Sequence, residues 1–220
     1  PFCCAVAVVG VNGMVIVTDL FSLYVFLEIV GLSCFVLIAM FKTETGLEGA
    51  FKYLIMSSVA SILILTGLAF IFMQQGSLQY KDIQLNFLNG VSISHSLPSY
   101  MALIFLIAGF ALKTGAVPFH SWLPDAHQSA DTSISVLLSG IVIKVAGIYG
   151  FIVITDLFAG VPAIGLTMAI IGVISILTGA LLALKQDHFK RIVAYSSVSQ
   201  VGYILLGLST GSTMGLLGAV

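Results

Sequence analysis

Three ionisable residues stand near the middle of long apolar runs, where a charge facing lipid is costly. They are Glu28, Lys113 and Lys144. On membrane-insertion scales a charge at the centre of a span costs about 2.5–3.5 kcal/mol, so each needs a partner, water or a function. A carboxylate that moves towards or away from a buried lysine changes how firmly that lysine holds its proton. Glu28 and Lys113 therefore suggest a proton-titrating pair; the alternatives are a carboxylate that only ties two helices together and a static salt bridge.

Lys144 shares one helical stripe with Gly140 and Gly147. Small residues let another helix approach closely. We therefore expect this lysine to face protein rather than lipid and to carry protons. A file of polar groups and water should join it to Lys113, and the nearest candidates by sequence are Ser139, His120 and Ser135. The alternative is a lysine that only orients neighbouring dipoles.

Two histidines accompany Lys113 in the same segment. His120 and His127 are seven residues apart, a spacing that places them on one face of a helix. Histidine titrates near neutral pH, so both are candidate proton relays. The alternative is polar packing near the cytoplasmic surface. A metal site is not favoured, because no third ligand has a suitable spacing.

The composition is that of a membrane protein. Of 220 residues, 59% are hydrophobic and 8% are charged, and the mean hydropathy is +1.16. Soluble domains carry roughly 25% charged residues. The net charge of −1 offers no basic surface for nucleic acid.

No cofactor or metal is predicted from the sequence. Cys3, Cys4 and Cys34 form no C-x-x-C pair, so neither an iron–sulfur nor a zinc framework is indicated. Nucleotide-binding loops, nucleophile elbows and metalloprotease motifs are also absent from the sequence. The chain therefore encodes no redox centre.

The apolar runs predict an all-α, polytopic membrane protein, since a span needs roughly 20 mostly apolar residues. The chain begins without methionine inside one apolar run and ends inside another, so we expect a piece of a longer protein. Residues 75–98 are expected to form the longest loop. About eight segments are predicted, at 1–18, 19–41, 51–74, 99–128, 131–155, 162–184, 188–209 and from 212 onward.

Segment 99–128 is too long for one straight span and contains Gly115, Pro118 and Pro124. Proline removes a backbone donor and clashes with the preceding turn. We predict two half-helices, about 100–114 and 117–128, with a break near 114–118. A broken helix persists in lipid only where protein buries it or where it lines a wet cavity, and such breaks often mark ion sites.

The loop cations predict an orientation, if 99–128 crosses the membrane once. Cations concentrate on the cytoplasmic side of membrane proteins. We therefore expect the loops at 42–50 and 185–191 to face the cytoplasm and 75–98 to face outside. Five cations share the first side and only Lys81 lies on the other; the five are Lys42, Lys52, Lys185, Lys190 and Arg191.

Three runs of the sequence resemble one family of membrane proteins. They are DLFSLYVFLE at 19–28, LKTGAVPFHSWLPDAH at 112–127 and KRIVAYSSVSQVGY at 190–203. The family comprises the antiporter-like, proton-conducting subunits of respiratory complex I, of membrane-bound hydrogenases and of multisubunit Na⁺/H⁺ antiporters. The resemblance covers nearly the whole chain, and the second run is the most specific.

The resemblance implies roles for the charged residues. Glu28 and Lys113 would be the charged pair of the family, and Lys144 would carry protons towards a second half-channel. Family members contain two inverted repeats of five helices. A single transmembrane domain over 1–220 would then hold the first repeat at 1–155 and the truncated start of the second at 162–220.

The expected function is proton translocation by a membrane subunit of a redox-driven ion pump, such as a complex I-like or energy-converting hydrogenase complex. Its partners would be other membrane subunits, redox subunits and the lipid bilayer. It would lie in a bacterial or archaeal cytoplasmic membrane, or in an organelle inner membrane. Two alternatives remain open: a subunit of a stand-alone multisubunit Na⁺/H⁺ antiporter, and a structural membrane scaffold.

Overall fold

The computed structural model describes residues 2–88, 97–158 and 161–219, and these are helical almost throughout. This confirms the all-α prediction. One segment, Leu138–Ile148, is a π-helix, called the π segment below. The α-helices are α1 (Phe2–Ile16), α2 (Leu20–Ile38), α3 (Glu44–Gln75), α4 (Tyr80–Leu88), α5 (Leu97–Thr114), α6 (Trp122–Ser129), α7 (Thr132–Leu137), α8 (Tyr149–Leu157), α9 (Pro162–Leu184), α10 (Phe189–Ser209) and α11 (Thr213–Ala219).

Within the described ranges, six helical segments are long and apolar enough to cross a membrane, and α1 is a shorter apolar helix. The six include the continuous run of α7, the π segment and α8. The predicted number of about eight is not confirmed, because α1 is shorter than a full span and α11 extends over only seven described residues. Large apolar side chains such as Phe72 and Leu177 are exposed on the outside of the bundle. The chain is therefore an integral membrane protein whose outer surface suits lipid.

The helix ends follow from local side-chain chemistry. The Asp19 carboxylate accepts a hydrogen bond from the Ser22 amide at 2.7 Å and begins α2. The Thr43 hydroxyl accepts one from the Gly46 amide at 3.1 Å and begins α3. These caps satisfy amides that have no partner within their own helix. Gly76 ends α3 with a φ of 68°, a conformation that glycine adopts without strain.

The predicted loop at 75–98 contains more structure than expected. Helix α4 occupies Tyr80–Leu88 and α5 begins at Leu97. The Leu20 amide donates to the Leu78 carbonyl at 3.0 Å, which ties this connection to the start of α2. A helix this short gives only a weak periodic signal. Residues 89–96 of the predicted loop lie outside the described residues.

The two ends of segment 97–129 lie at opposite ends of α3, as a single crossing requires. At one end, Ser99 near the start of α5 donates to the Gln74 side chain near the end of α3, at 2.8 Å. At the other end, Asp125 of α6 forms ion pairs with Lys52 near the start of α3 and with Arg191 near the start of α10. Both cations therefore lie at the same end of the bundle, as the predicted orientation requires. Which end faces the cytoplasm stays a prediction.

Candidate functional site

The predicted break is present. Helix α5 ends at Thr114, and Gly115 follows with a φ of 68°. The Ala116 amide reaches back to the Ala111 carbonyl at 2.9 Å. This is the geometry with which a glycine commonly closes a helix. The second half-helix begins at Trp122 rather than near 117, because the chain turns through residues 117–121 before the helix resumes.

Protein groups satisfy the backbone at the break. The Val117 amide donates to the Ser175 hydroxyl of α9 at 3.0 Å, and Ser175 is fully buried. The Trp122 indole donates to the Leu112 carbonyl at 3.1 Å. The interruption is thus buried in protein, which is the condition for a broken helix at membrane depth. Nothing in the sequence assigned these roles to Ser175 or the Trp122 indole, because the packing around the break decides their hydrogen-bond partners.

The break places Lys113 against Glu28 of α2. The Lys113 ammonium nitrogen lies 3.2 Å from the Glu28 Oε1 atom. The Lys113 side chain is only 6% exposed, whereas that of Glu28 is 30% exposed. The predicted contact between the two side chains is therefore confirmed. Their role in proton movement stays a prediction.

Helix α3 adds two hydroxyls to this pair that the sequence analysis did not single out. Lys113 donates to the Ser57 hydroxyl at 2.8 Å, and the Ser61 hydroxyl donates to Glu28 Oε1. Gly31 leaves room for the group: a Cβ atom there would lie 3.3 Å from the Ser57 oxygen and 3.5 Å from the Lys113 nitrogen. The site is therefore a four-membered polar cluster of two charges and two hydroxyls.

A small cavity of about 20 Å³ adjoins this cluster. Its walls come from α2, α3, α5, α6 and the π segment, and they include Ser57, Tyr53 and Trp122. The Tyr53 and Trp122 rings pack edge to face with centroids 5.3 Å apart. A space of this size can hold a single water molecule beside Lys113.

Lys144 is exposed within the described residues, so no described part of the chain covers it. That it faces protein rather than lipid stays a prediction. Lys144 and Gly140 are both exposed, whereas Gly147 is buried against Thr114. The reason is the π segment, whose wider turns hold more residues than the 3.6 of an α-helix. Gly140 and Lys144 still share a face in this geometry, but Gly147 rotates away from them. The sequence carries no plain signal for a π-helix.

The expected line of polar groups from Lys113 to Lys144 is not formed by the proposed residues. Ser139 pairs with Ser197 of α10 at 2.8 Å, and Ser135 pairs with His127. On the side facing Lys113, the π segment presents apolar side chains to the cavity. These are Leu138, Val142, Ile143 and Ala146.

The two histidines occupy different environments. His127 lies in α6 and is 1% exposed, with its Nδ1 atom 2.7 Å from the Ser135 hydroxyl. Its Nε2 atom is buried and has no hydrogen-bond partner among the described residues. His120 precedes α6 and packs near the Tyr195 ring, with centroids 6.2 Å apart. They do not share one helical face as predicted, because His120 lies in the turn. A relay role for either histidine stays a prediction.

A second polar cluster lies at the end of the bundle that carries most loop cations. Lys52 bonds to both Asp125 and Glu48 at 2.8 Å, and Arg191 lies 3.4 Å from Asp125. The cluster ties α3, α6 and α10 together. In the described residues, no group of three His, Cys, Asp or Glu side chains is arranged to hold a metal ion.

The fold and the Lys113–Glu28 pair define a polytopic membrane protein, in whose described residues a discontinuous helix carries an ionisable residue at its break. The chain belongs to the NADH:quinone oxidoreductase/Mrp antiporter transmembrane family, whose model matches residues 17–220. This confirms the resemblance seen in the sequence.

Individual relatives come from more than one kind of complex. The chain is 35% identical over 214 residues to NADH-quinone oxidoreductase subunit N of Ruthia magnifica subsp. Calyptogena magnifica, covering 95% of this chain and 44% of that protein. It is 34% identical over 215 residues to a Na(+)/H(+) antiporter protein of Alkalihalophilus pseudofirmus, covering 96% and 42%.

A solved structure gives the same result for the fold. A chain of the Mrp complex from Dietzia sp. DQ12-45-1b matches with a TM-score of 0.86 and 25% identity, over 97% of this chain and 40% of that one. The chain spans less than half the length of each of these proteins.

Proposed function

We propose that this chain moves protons across the membrane as part of a redox-driven ion pump. The observation that carries the proposal is the contact between the buried Lys113 and the partly buried Glu28 at the helix break. An ammonium and a carboxylate that touch within a span stabilise each other, and separating them weakens the hold of Lys113 on its proton. A charge shift elsewhere in the complex would then load or unload the proton.

Lys144 is proposed to carry the proton onward, to a part of the protein beyond the described residues. It is exposed on the π segment, within an otherwise apolar stretch. A lysine facing lipid at this depth is costly, which supports a protein partner over this face. The wall between Lys113 and Lys144 is apolar, so transfer along this route needs water to enter the gap transiently.

The proposed partners are other membrane subunits and the redox subunits that supply the driving reaction. The proposed location is a bacterial or archaeal cytoplasmic membrane, or an organelle inner membrane. The relative named for NADH-quinone oxidoreductase supports the redox-driven assignment.

The second candidate is a subunit of a stand-alone multisubunit Na⁺/H⁺ antiporter. The relative named for such an antiporter is almost as similar, at 34% identity. In either complex, the Glu28 cluster favours H⁺ over Na⁺ as the ion carried here. The Lys113 ammonium already occupies the position beside Glu28 Oε1 where a sodium ion would bind, and Na⁺ prefers a shell of carboxylate and carbonyl oxygens.

The test is Lys113→Met in the full-length protein within its complex, with Lys185→Met as the matched control. Lys185 is exposed in the loop before α10, so the control removes the same charge outside the site. Proton uptake into inverted vesicles, normalised to the amount of assembled complex, should be lost in Lys113→Met and retained in Lys185→Met.

The same vesicles separate the alternatives. If the Lys113→Met protein assembles and transports protons at the normal rate, Lys113 has only a structural role and the proposal is wrong. Proton uptake that follows addition of an electron donor without Na⁺ supports the redox-driven pump. Proton movement that requires a Na⁺ gradient and ignores electron donors supports the antiporter.

A further inference from the structure

We propose that Ser57 and Ser61 of α3 are positioning residues that hold Lys113 and Glu28 separately when their ion pair opens. This inference rests on the proposed function, because it concerns how the pair can part within the membrane. It assigns to α3 a role in the proton-transfer step.

Lys113 and Glu28 each contact a serine hydroxyl of α3 as well as each other. Lys113 lies closer to the Ser57 hydroxyl, at 2.8 Å, than to Glu28, at 3.2 Å. The Ser61 hydroxyl donates to the same Oε1 atom of Glu28 that Lys113 contacts. Ser57 and Ser61 are four residues apart in an α-helix, so they lie one turn apart on the same face of α3.

The hydrogen-bonding capacity of each hydroxyl suits the charge that it contacts. A hydroxyl can accept a hydrogen bond from an ammonium and can donate one to a carboxylate. A buried charge that loses its only partner is strongly destabilised. Ser57 contacts the ammonium and Ser61 contacts the carboxylate. Each charge therefore keeps a hydrogen-bond partner when the distance between Lys113 and Glu28 increases.

Ser61 also has a second acceptor. Its hydroxyl lies 2.8 Å from the backbone carbonyl of Ser57, as well as within reach of Glu28. Since a hydroxyl carries one proton, it donates to only one of these acceptors at a time. Ser61 can therefore turn to the carbonyl when Glu28 is neutralised or moves, and return when the carboxylate is restored. The Ser61 hydroxyl thus has two alternative acceptors, Glu28 and the Ser57 carbonyl.

A small cavity adjoins the Lys113 and Ser57 side of the cluster. Ser57 and Lys113 both line the cavity of about 20 Å³. Ser57 is partly buried and Ser61 is buried, so bulk solvent does not replace the two hydroxyls easily.

The test compares threonine with valine at each position, because the two side chains have nearly the same shape and differ in the hydroxyl. Proton uptake is measured in vesicles containing the full complex and normalised to the assembled amount. We expect Ser57→Thr and Ser61→Thr to retain most of the proton uptake, and Ser57→Val and Ser61→Val to lower its rate about tenfold. Ser33→Ala is the control, since the Ser33 hydroxyl bonds to Ile29 of its own helix and should be dispensable.

Each outcome bears on the inference. Equal activity in the threonine and valine variants would overturn it, because the hydroxyl would then be irrelevant; equal loss in both would also overturn it, because side-chain size would then be the cause. If valine prevents assembly, Ser57→Ala and Ser61→Ala replace it, with the same tenfold loss expected. Lys113→Met in the same preparation separates the two proposals: if it abolishes transport while the valine and alanine variants do not, only the role of the serines is wrong.

Discussion

Removing the Ser175 hydroxyl should loosen the break between α5 and α6. The Ser175 hydroxyl accepts a hydrogen bond from the Val117 amide at 3.0 Å, and the Ser175 side chain is fully buried. In Ser175→Ala the partly buried amide would lose that partner, which costs about 1–3 kcal/mol. Because each 1.4 kcal/mol is a factor of ten in an equilibrium, local opening at Val117 should become roughly five- to 150-fold more frequent.

Hydrogen–deuterium exchange of the peptide containing Val117 measures this opening directly, with the protein in lipid nanodiscs. Thr178→Ala on the same helix is the matched control, since the Thr178 hydroxyl bonds to the Ile174 carbonyl of its own helix. Exchange at Val117 should rise in Ser175→Ala alone. Unchanged exchange, or the same rise in the control, would show that Ser175 does not hold the break.

Three further predictions concern Lys144, the orientation and the ion pairs. Lys144→Ala and Lys144→Arg should both stop proton uptake, because arginine does not release its proton at physiological pH; full activity of the arginine variant would contradict the relay. Cysteines at Thr45 and Leu85 should label from opposite sides, and labelling from one side would refute the topology. Asp125→Asn should lower stability by about 1 kcal/mol in thermal unfolding, because partly exposed ion pairs contribute little; a much larger loss would mean that this cluster is structurally essential.

The sequence was most informative where its chemistry is unusual for a membrane. Glu28 and Lys113 are conspicuous as charges within apolar runs, and the energetic cost of leaving them unpaired correctly predicted their contact. Gly115 and Pro118 likewise predicted the break, because one favours a left-handed conformation and the other cannot continue a helix.

The features that could not be predicted from the sequence are those that depend on how the helices pack. Serine is common in membrane helices, and only the three-dimensional arrangement distinguishes Ser57 and Ser61 from serines that bond to their own helix. The π segment shifts side chains around the axis without a recognisable motif, so the predicted stripe of Lys144 with both glycines was wrong.

The buried polar contacts of the break could not be predicted for a related reason. Val117 and Ser175 are 58 residues apart, and only the packing of α9 against the break brings them together. Helix α4 was missed because a nine-residue helix with polar residues on either side looks like a loop.

The central claim is that Glu28 and Lys113 act as one unit in proton transfer, and a double-mutant cycle tests it most directly. Proton uptake would be compared in vesicles for the wild type, Glu28→Gln, Lys113→Met and the double variant, each normalised to assembled complex. Residues that act as a unit give non-additive losses. The double variant should therefore be no more impaired than the worse single variant. Losses that multiply in the double variant, or a Glu28→Gln protein that pumps at the normal rate, would contradict the account.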